Sequence, residues 1–235
     1  MKYKNILLSN DDGYDSLGLE IVEKYFKSLG SHTTIIAPLK QQSGTSSAIT
    51  IFGKLRLEKK SENLFVVDGS PVDCVKIGLK NILKSKPELV VSGINKGDNT
   101  GQSVFYSGTV GAAFEGARQG IDSVAFSFFT NCDRTVEFNE NALFMMIKEF
   151  FENHYIGGFV SVNFPNCDYS NFKGFKKVEI STSNYIEKYE EIEPTVFEVT
   201  LDYFEESENS ETYLLKENWA TISPMKTNWT DYSKL

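Results

Sequence analysis

Asp11 and Asp12 stand side by side after the short apolar run Ile6-Leu7-Leu8, with Gly13 directly behind them. Two adjacent carboxylates repel each other unless a cation sits between them. Later loops offer more oxygen donors: the hydroxyl of Ser43 within 41–47, and the amides of Asn95 and Asn99 within 93–107. Carboxylate, hydroxyl and amide oxygens together suit Mg²⁺ or Mn²⁺ rather than zinc. A further stretch, YSGTVGAAFEGA over 106–117, puts Ser107, Gly108 and Thr109 at the start of an expected helix. The unpaired N–H groups and the dipole of such a start favour an anion, most naturally phosphate. A divalent cation beside a phosphate-sized pocket suits metal-assisted phosphoryl hydrolysis. Each piece alone has a plainer reading. Asp-Asp-Gly after a strand makes a capped turn, Ser-Gly-Thr an N-cap, and asparagines in a glycine-rich loop make turns. Their joint placement after strands is what favours a site.

The elements that must position these residues follow from patterning. Residues 6–8 read as a buried parallel strand. Leu17, Ile21, Val22, Tyr25 and Leu29 recur at helical spacing up to Gly30, and 32–38 is a β-branched strand. Strand, helix, strand opens a doubly wound sheet. Short strands are expected at 48–52, 55–57 and 64–67, then a helix over 72–83 opened by Ser70 and Pro71. A strand at 89–92, a long loop over 93–107 and a small-residue helix over 109–118 come next. They are followed by strand 123–129, helix 140–152 capped by Asn139, and strand 159–164. Ligands of a parallel sheet bind beyond the carboxyl ends of its strands, so the three loops converge on one rim if their strands are neighbours. Strand alternation would aim Asp11 and Asp12 to opposite faces, and the Gly13 turn is needed to bring both toward one ion. Beyond about residue 174, segments 176–181 and 197–203 read as arms of an extended hairpin. The acidic stretches EKYEEIE and FEESENSE read as solvated faces or a projecting arm.

The chain of 235 residues reads as one α/β domain, 1–235, with a catalytic core over 1–173 and a hairpin and arm over 174–235. It is long enough to bury roughly 70–75% of its unfolded surface without staples. The net charge of −8 and the absence of a basic run argue against a nucleic-acid duplex as partner. An anionic substrate would therefore need local positive charge. Cysteines 74, 132 and 167, with no CxxC pair, read as free thiols of a reducing compartment. The apolar start is too short for a signal peptide and no run approaches the ~18 residues of a membrane span, so a cytoplasmic protein is expected. The two histidines, His32 and His154, are too few and too poorly placed for a Ser-His-Asp triad or a His-rich zinc site. No GxxxxGK[ST] is present for a P-loop.

The segments ILLSNDDGYDSLGL, APLKQQSGTSSAIT, VDGSPVDCV, LVVSGINKGDNTG and VFYSGTVGAAFEGA stand in the order of the SurE family, the stationary-phase survival protein nucleotidases. VSVNFPN and WATISPMKTNWTD resemble that family's closing segments. The resemblance spans nearly the whole chain and is dense over 5–128. It implies a Rossmann-like three-layer α/β/α core with a mostly parallel sheet. It also implies a projecting C-terminal region that builds a homodimer or homotetramer. The implied activity is a divalent-metal-dependent phosphatase acting on nucleoside 5′- and 3′-monophosphates. By motif, Asp11, Asp12, Ser43 and Asn95 would ligate one Mg²⁺ or Mn²⁺ per subunit, and Asn99, Ser107, Gly108 and Thr109 would contact the phosphate. Either aspartate is a candidate base toward the attacking water, or a nucleophile. Where the family commonly has an Asp and, four residues on, a His, this chain has Asn228 and Tyr232. The segment 174–212 also lacks the family's basic, Gly/Pro-containing pattern. These departures bear on substrate preference and assembly. Two rivals stand beside this reading. A haloacid-dehalogenase-like phosphatase wants an Asp-x-Asp pair, and the acids here are adjacent. A regulatory nucleotide-binding protein without turnover draws on the missing His.

Overall fold

The structure, a computed structural model, describes residues 3–131, 133, 135–181, 185–203 and 207–228. The chain opens with strand β1 (Asn5–Ser9), helix α1 (Leu17–Ser28) and strand β2 (His32–Pro38). Leu7 and Leu8 are both fully buried although they point to opposite faces, as expected of a parallel strand covered on both sides. Ser16 caps α1, its hydroxyl accepting the Leu19 N–H. Strands β3 (Leu57–Lys59) and β4 (Leu64–Val67) follow, then helix α2 (Pro71–Ile77). Ser70 and Asp73 form a reciprocal capping box at the start of α2, and Pro71 takes the first helical position. The remaining elements are β5 (Leu89–Lys96), α3 (Ser103–Tyr106), α4 (Gly108–Arg118), β6 (Asp122–Phe128), α5 (Glu140–Asn153) and β7 (Phe159–Phe164). After these come β8 (Phe175–Lys177), β9 (Tyr185–Glu193), β10 (Val196–Tyr203), α6 (Glu211–Lys216) and β11 (Ala220–Met225).

Among the described residues one nine-stranded sheet has the order β3-β4-β2-β1-β5-β6-β7-β11-β8. The run from β4 through β7 is parallel, while β3 and β11 lie antiparallel to β4 and β7. Helices α1 and α5 bury Leu19, Val22, Leu143 and Ile147 against one face of the sheet, in a core that includes Leu8, Val91 and Phe126. On the other face Cys74 and Val75 of α2 and Ala112 of α4 pack with Leu7 and Val90. This is the three-layer α/β/α arrangement expected from the sequence. The order also sets the binding edge. The chain leaves β1 toward β2 on one side and returns through α2 to β5 on the other, so the carboxyl ends of β1 and β5 flank the switch point.

Several expectations are corrected. Residues 48–52 form no strand; the main chain there is held by side chains, Thr50 donating its N–H and hydroxyl to Asp73. The helix expected over 72–83 ends as α-helix at Ile77 and continues as a π-helical turn, Gly78–Ile82. β5 runs on to Lys96, with a register shift against β6 between Ser92 and Asn95, so Asn95 lies on a strand rather than in a loop. The largest correction concerns the hairpin. Its first arm is β9, which contains the acidic stretch EKYEEIE, whereas 175–177 is an edge strand parallel to β11. Acidic residues on both faces of β9 hid its alternation, because β9 and β10 pair only with each other, as a separate two-stranded sheet, and neither face packs on the core of this chain. Among the described residues, no helix is long and apolar enough to cross a membrane.

Candidate active site

The turn after β1 builds the site. Asn10, fully buried, donates its side-chain amide to the Gly13 carbonyl at 2.8 Å and to the Ser16 hydroxyl at 2.7 Å, folding the chain back on itself. Gly13 adopts φ +112°, a conformation that L side chains rarely enter. Asp11 leaves this turn buried, 5% exposed, and faces the start of α4. Its Oδ2 accepts the Thr109 N–H at 3.1 Å and its Oδ1 accepts the Thr109 hydroxyl. A Cβ on Gly108 would lie 3.0 Å from the Asp11 Cβ and 2.9 Å from the Thr45 hydroxyl oxygen, so glycine permits this close approach. Burial raises the Asp11 carboxyl above the usual range, and the hydrogen bonds from Thr109 oppose the rise.

Asp12 accepts the Lys96 N–H on Oδ2 at 3.2 Å. Burial first, and the neighbouring Asp11 carboxylate second, push the Asp12 carboxyl up to about 6. The Asn95 amide nitrogen donates to the Gly97 carbonyl at 2.7 Å, which leaves its oxygen as the end available to a cation. The 41–47 loop is drawn in by the Gln42 N–H, which donates to the Asp11 carbonyl at 2.7 Å. Ser43, the next residue, is exposed on the rim, and its hydroxyl accepts from the Gln41 amide at 3.1 Å.

The phosphate candidates are less uniform. Ser107 caps α4, its hydroxyl accepting the Val110 N–H at 3.1 Å, so the plainer N-cap reading holds for it. Thr109 directs both its donors at Asp11. Asn99 is buried and anchored to the sheet: its N–H donates to Asn163 Oδ1 at 2.8 Å and its amide to the Ser127 hydroxyl at 2.7 Å. Thus Asp11, Asp12, Asn95 and the start of α4 share the carboxyl end of β1 and β5, with Ser43 on the rim. His32 begins β2 and His154 closes α5, both at the opposite end of the sheet. Tyr232 and Cys132 lie outside the described residues.

Among the described residues, no three or more His, Cys, Asp and Glu side chains cluster to hold a metal. A cation here would draw on two carboxylates and neutral oxygens, a hard donor set that fits Mg²⁺ or Mn²⁺. Sequence reasoning missed the supports of this site: the Lys96 N–H on Asp12, and Ser127 and Asn163 under Asn99. Asn163 carried a legible signal, a polar amide inside the apolar strand VSVNF. The Lys96 main chain carried none.

The model of the family described as "Survival protein SurE" matches residues 6–187. Among curated relatives, the 5′-nucleotidase SurE of Campylobacter jejuni is 35% identical over 250 residues, covering 99% of this chain and 95% of its own. The 5′-nucleotidase SurE of Chlorobium phaeobacteroides is 36% identical, covering 98% of this chain and 93% of its own. The 5′/3′-nucleotidase SurE of Wigglesworthia glossinidia brevipalpis is 35% identical, with coverages of 98% and 94%. The crystal structure of the SurE protein from Aquifex aeolicus superposes with a TM-score of 0.85 at 31% identity, covering 98% of this chain and 96% of that one. With the aspartate turn, the switch-point geometry and these full-length likenesses in agreement, the chain belongs to the SurE family.

Proposed function

We propose that this chain is a divalent-metal-dependent phosphomonoesterase that hydrolyses nucleoside 5′- and 3′-monophosphates to nucleoside and phosphate. One observation carries the reading. Two adjacent carboxylates stand at the switch point, Asp11 buried against the start of α4 and Asp12 half-buried beside it, and the Asp12 carboxyl is pushed up to about 6. Burial first and the Asp11 charge second disfavour the ionised form, and a cation offsets both. Asp11, Asp12, Ser43 and Asn95 would hold one Mg²⁺ or Mn²⁺. When bound, the ion supplies Lewis acidity toward a phosphoryl oxygen and a lowered pKa for an attacking water.

The chain's own residues do the rest. Thr109 engages both oxygens of Asp11 and so orients that carboxylate. Asp12 has Oδ2 engaged by the Lys96 N–H, and either aspartate is a candidate base toward the attacking water, or a nucleophile. The start of α4, through Gly108 and the helix dipole, favours the phosphate's negative charge in a chain whose net charge opposes it. Asn99 contributes an amide held in place from below. The protein works in the cytoplasm as a homodimer or homotetramer. Assembly is supported by the isolated β9–β10 sheet, which exposes Tyr189, Ile192, Phe197 and Val199; a lone two-stranded hairpin is marginal in water.

Phosphate release from nucleoside 5′- and 3′-monophosphates, with Mg²⁺ or Mn²⁺ and with EDTA, tests the reading. Asp12→Asn is expected to lose at least about a hundredfold in kcat. Undiminished hydrolysis in that variant, or in EDTA, sinks the assignment. Metal-dependent nucleotide binding without release would favour the regulatory alternative.

A further inference from the structure

Glu211 is 1% exposed, although it closes the acidic stretch FEESENSE, where every residue reads as solvated. Its carboxylate gathers donors from three separate segments. Oε2 accepts the Gly101 N–H at 2.9 Å, and the N–H and hydroxyl of Ser181, each at 3.0 Å. Oε1 accepts the Ser223 hydroxyl at 3.2 Å. Gly101 lies in the connection from Asn99 to Ser107, Ser181 follows β8, and Ser223 belongs to β11. Burial raises the carboxyl above its usual range and the four donors pull the other way.

A buried carboxylate is costly unless its partners need it, and here the need is specific. The connection from Asn99 to Ser107 is fastened elsewhere at its two ends. Asn163 and Ser127 hold Asn99, and Ser46 donates its N–H to the Tyr106 carbonyl at 2.9 Å and its hydroxyl to the Phe105 carbonyl at 2.6 Å. Gly101 lies between those ends, and Glu211 ties it to β11 on the far side of β7. Thr212 comes within 3.5 Å of the Thr100 hydroxyl and adds to the same seam.

We propose that Glu211 is a positioning residue that holds the connection over 99–107 so that Asn99 and the start of α4 stay aimed at the phosphate. The proposal rests on the phosphatase reading above. Glu211 acts through the Gly101 amide and does not touch substrate. Its loss therefore falls on phosphate binding more than on the proton-transfer step.

Three variants test it: Glu211→Ala, Glu211→Gln and Ser223→Ala. The measurements are kcat and KM for a nucleoside monophosphate, inhibition by inorganic phosphate, and amide hydrogen exchange over 99–107. Glu211→Ala is expected to raise KM and the phosphate inhibition constant about tenfold or more, with kcat changed less than about threefold. Exchange at the Gly101 amide should speed up. Glu211→Gln keeps an oxygen for the Gly101 N–H and should stay within about threefold of wild type on every readout. Ser223→Ala loosens the carboxylate's other end without touching the loop, and should do the same. A folded Glu211→Ala with unchanged KM, phosphate inhibition and exchange overturns the proposal, as does an equal loss in all three variants. Should Glu211→Ala not fold, Glu211→Asp is read in its place. It is one methylene too short to span Gly101 and Ser223, and an unchanged KM there overturns the proposal as well. A wild type that releases no phosphate refutes the phosphatase reading alone. Phosphate binding and amide exchange in the same variants then decide the role of Glu211.

Discussion

Asp11 and Asp12 are neighbours in the chain with different surroundings. Asp11 is locked by Thr109 through both oxygens, while Asp12 accepts the Lys96 main-chain N–H on Oδ2. Both carboxyls are raised by burial, Asp12 from 3.8 to about 6. A group whose folded pKa lies above its unfolded value contributes stability below the unfolded pKa, and loses it as pH rises through the folded one. The metal-free protein should therefore lose Asp12's contribution between about pH 4 and pH 6. Thermal melting in EDTA should show a falling Tm across that range, flattened in Asp12→Asn, and Mg²⁺ or Mn²⁺ should restore Tm at neutral pH. A decline that is the same in wild type and Asp12→Asn would contradict the assignment. Gly108 gives a second check at this scale. Gly108→Ala brings a methyl to 3.0 Å from the Asp11 Cβ, and is expected to cost about 1–3 kcal/mol by overpacking. Its metal affinity should weaken along with its melting temperature. A variant with native Tm and metal binding would mean that the aspartate tolerates displacement.

Helix starts recur as the devices that place side chains. Ser16 caps α1, Ser70 caps α2, Ser107 caps α4 and Ser210 caps α6. At α2 the cap does more than end the helix. Ser70 also donates to the Ala48 carbonyl at 2.6 Å, and Asp73 holds Thr50, so the box anchors the loop that leads back to Ser43. Ser70→Ala is expected to cost about 1 kcal/mol, which for a chain of this size lowers Tm by roughly 2–4 °C. Differential scanning calorimetry measures it, and no change in Tm would show that the cap carries little. The caps at Ser70, Ser107 and Asn139 were legible beforehand, because Ser-Pro, Ser-Gly-Thr or Asn before an apolar-periodic run is a local signal, whereas those at Ser16 and Ser210 were not. The extension of β5 through Asn95 was not legible either. Glycine and asparagine in that run point to a loop, and pairing with β6 overrides them once the partner strand is in place.

At the scale of the molecule, the C-terminal quarter, from β8 on, divides into two parts. β8 and β11 close one edge of the sheet and α6 reaches the 99–107 connection through Glu211, whereas β9 and β10 form a separate two-stranded sheet. Shortening the hairpin by joining β9 to β10 nearer its base should lower the oligomeric state, read by light scattering, with kcat per subunit changed less than about threefold. An unchanged assembly would place the contact elsewhere.

The sequence by itself determined the core alternation of strand and helix and several of the caps, and it marked Asp11, Asp12, Ser43, Asn95, Asn99 and the Ser107–Thr109 helix start as candidates. Those signals are local: periodicity, turn residues and donor types lie within a few positions of each other. The strand order that makes β1 and β5 neighbours is tertiary. Only the tertiary structure decided that the acidic stretch around 185–193 is a strand while Glu211, in an equally acidic stretch, is buried. Charge density reads the same in both. What separates them is whether distant N–H and hydroxyl groups, here Gly101, Ser181 and Ser223, arrive to satisfy the carboxylate.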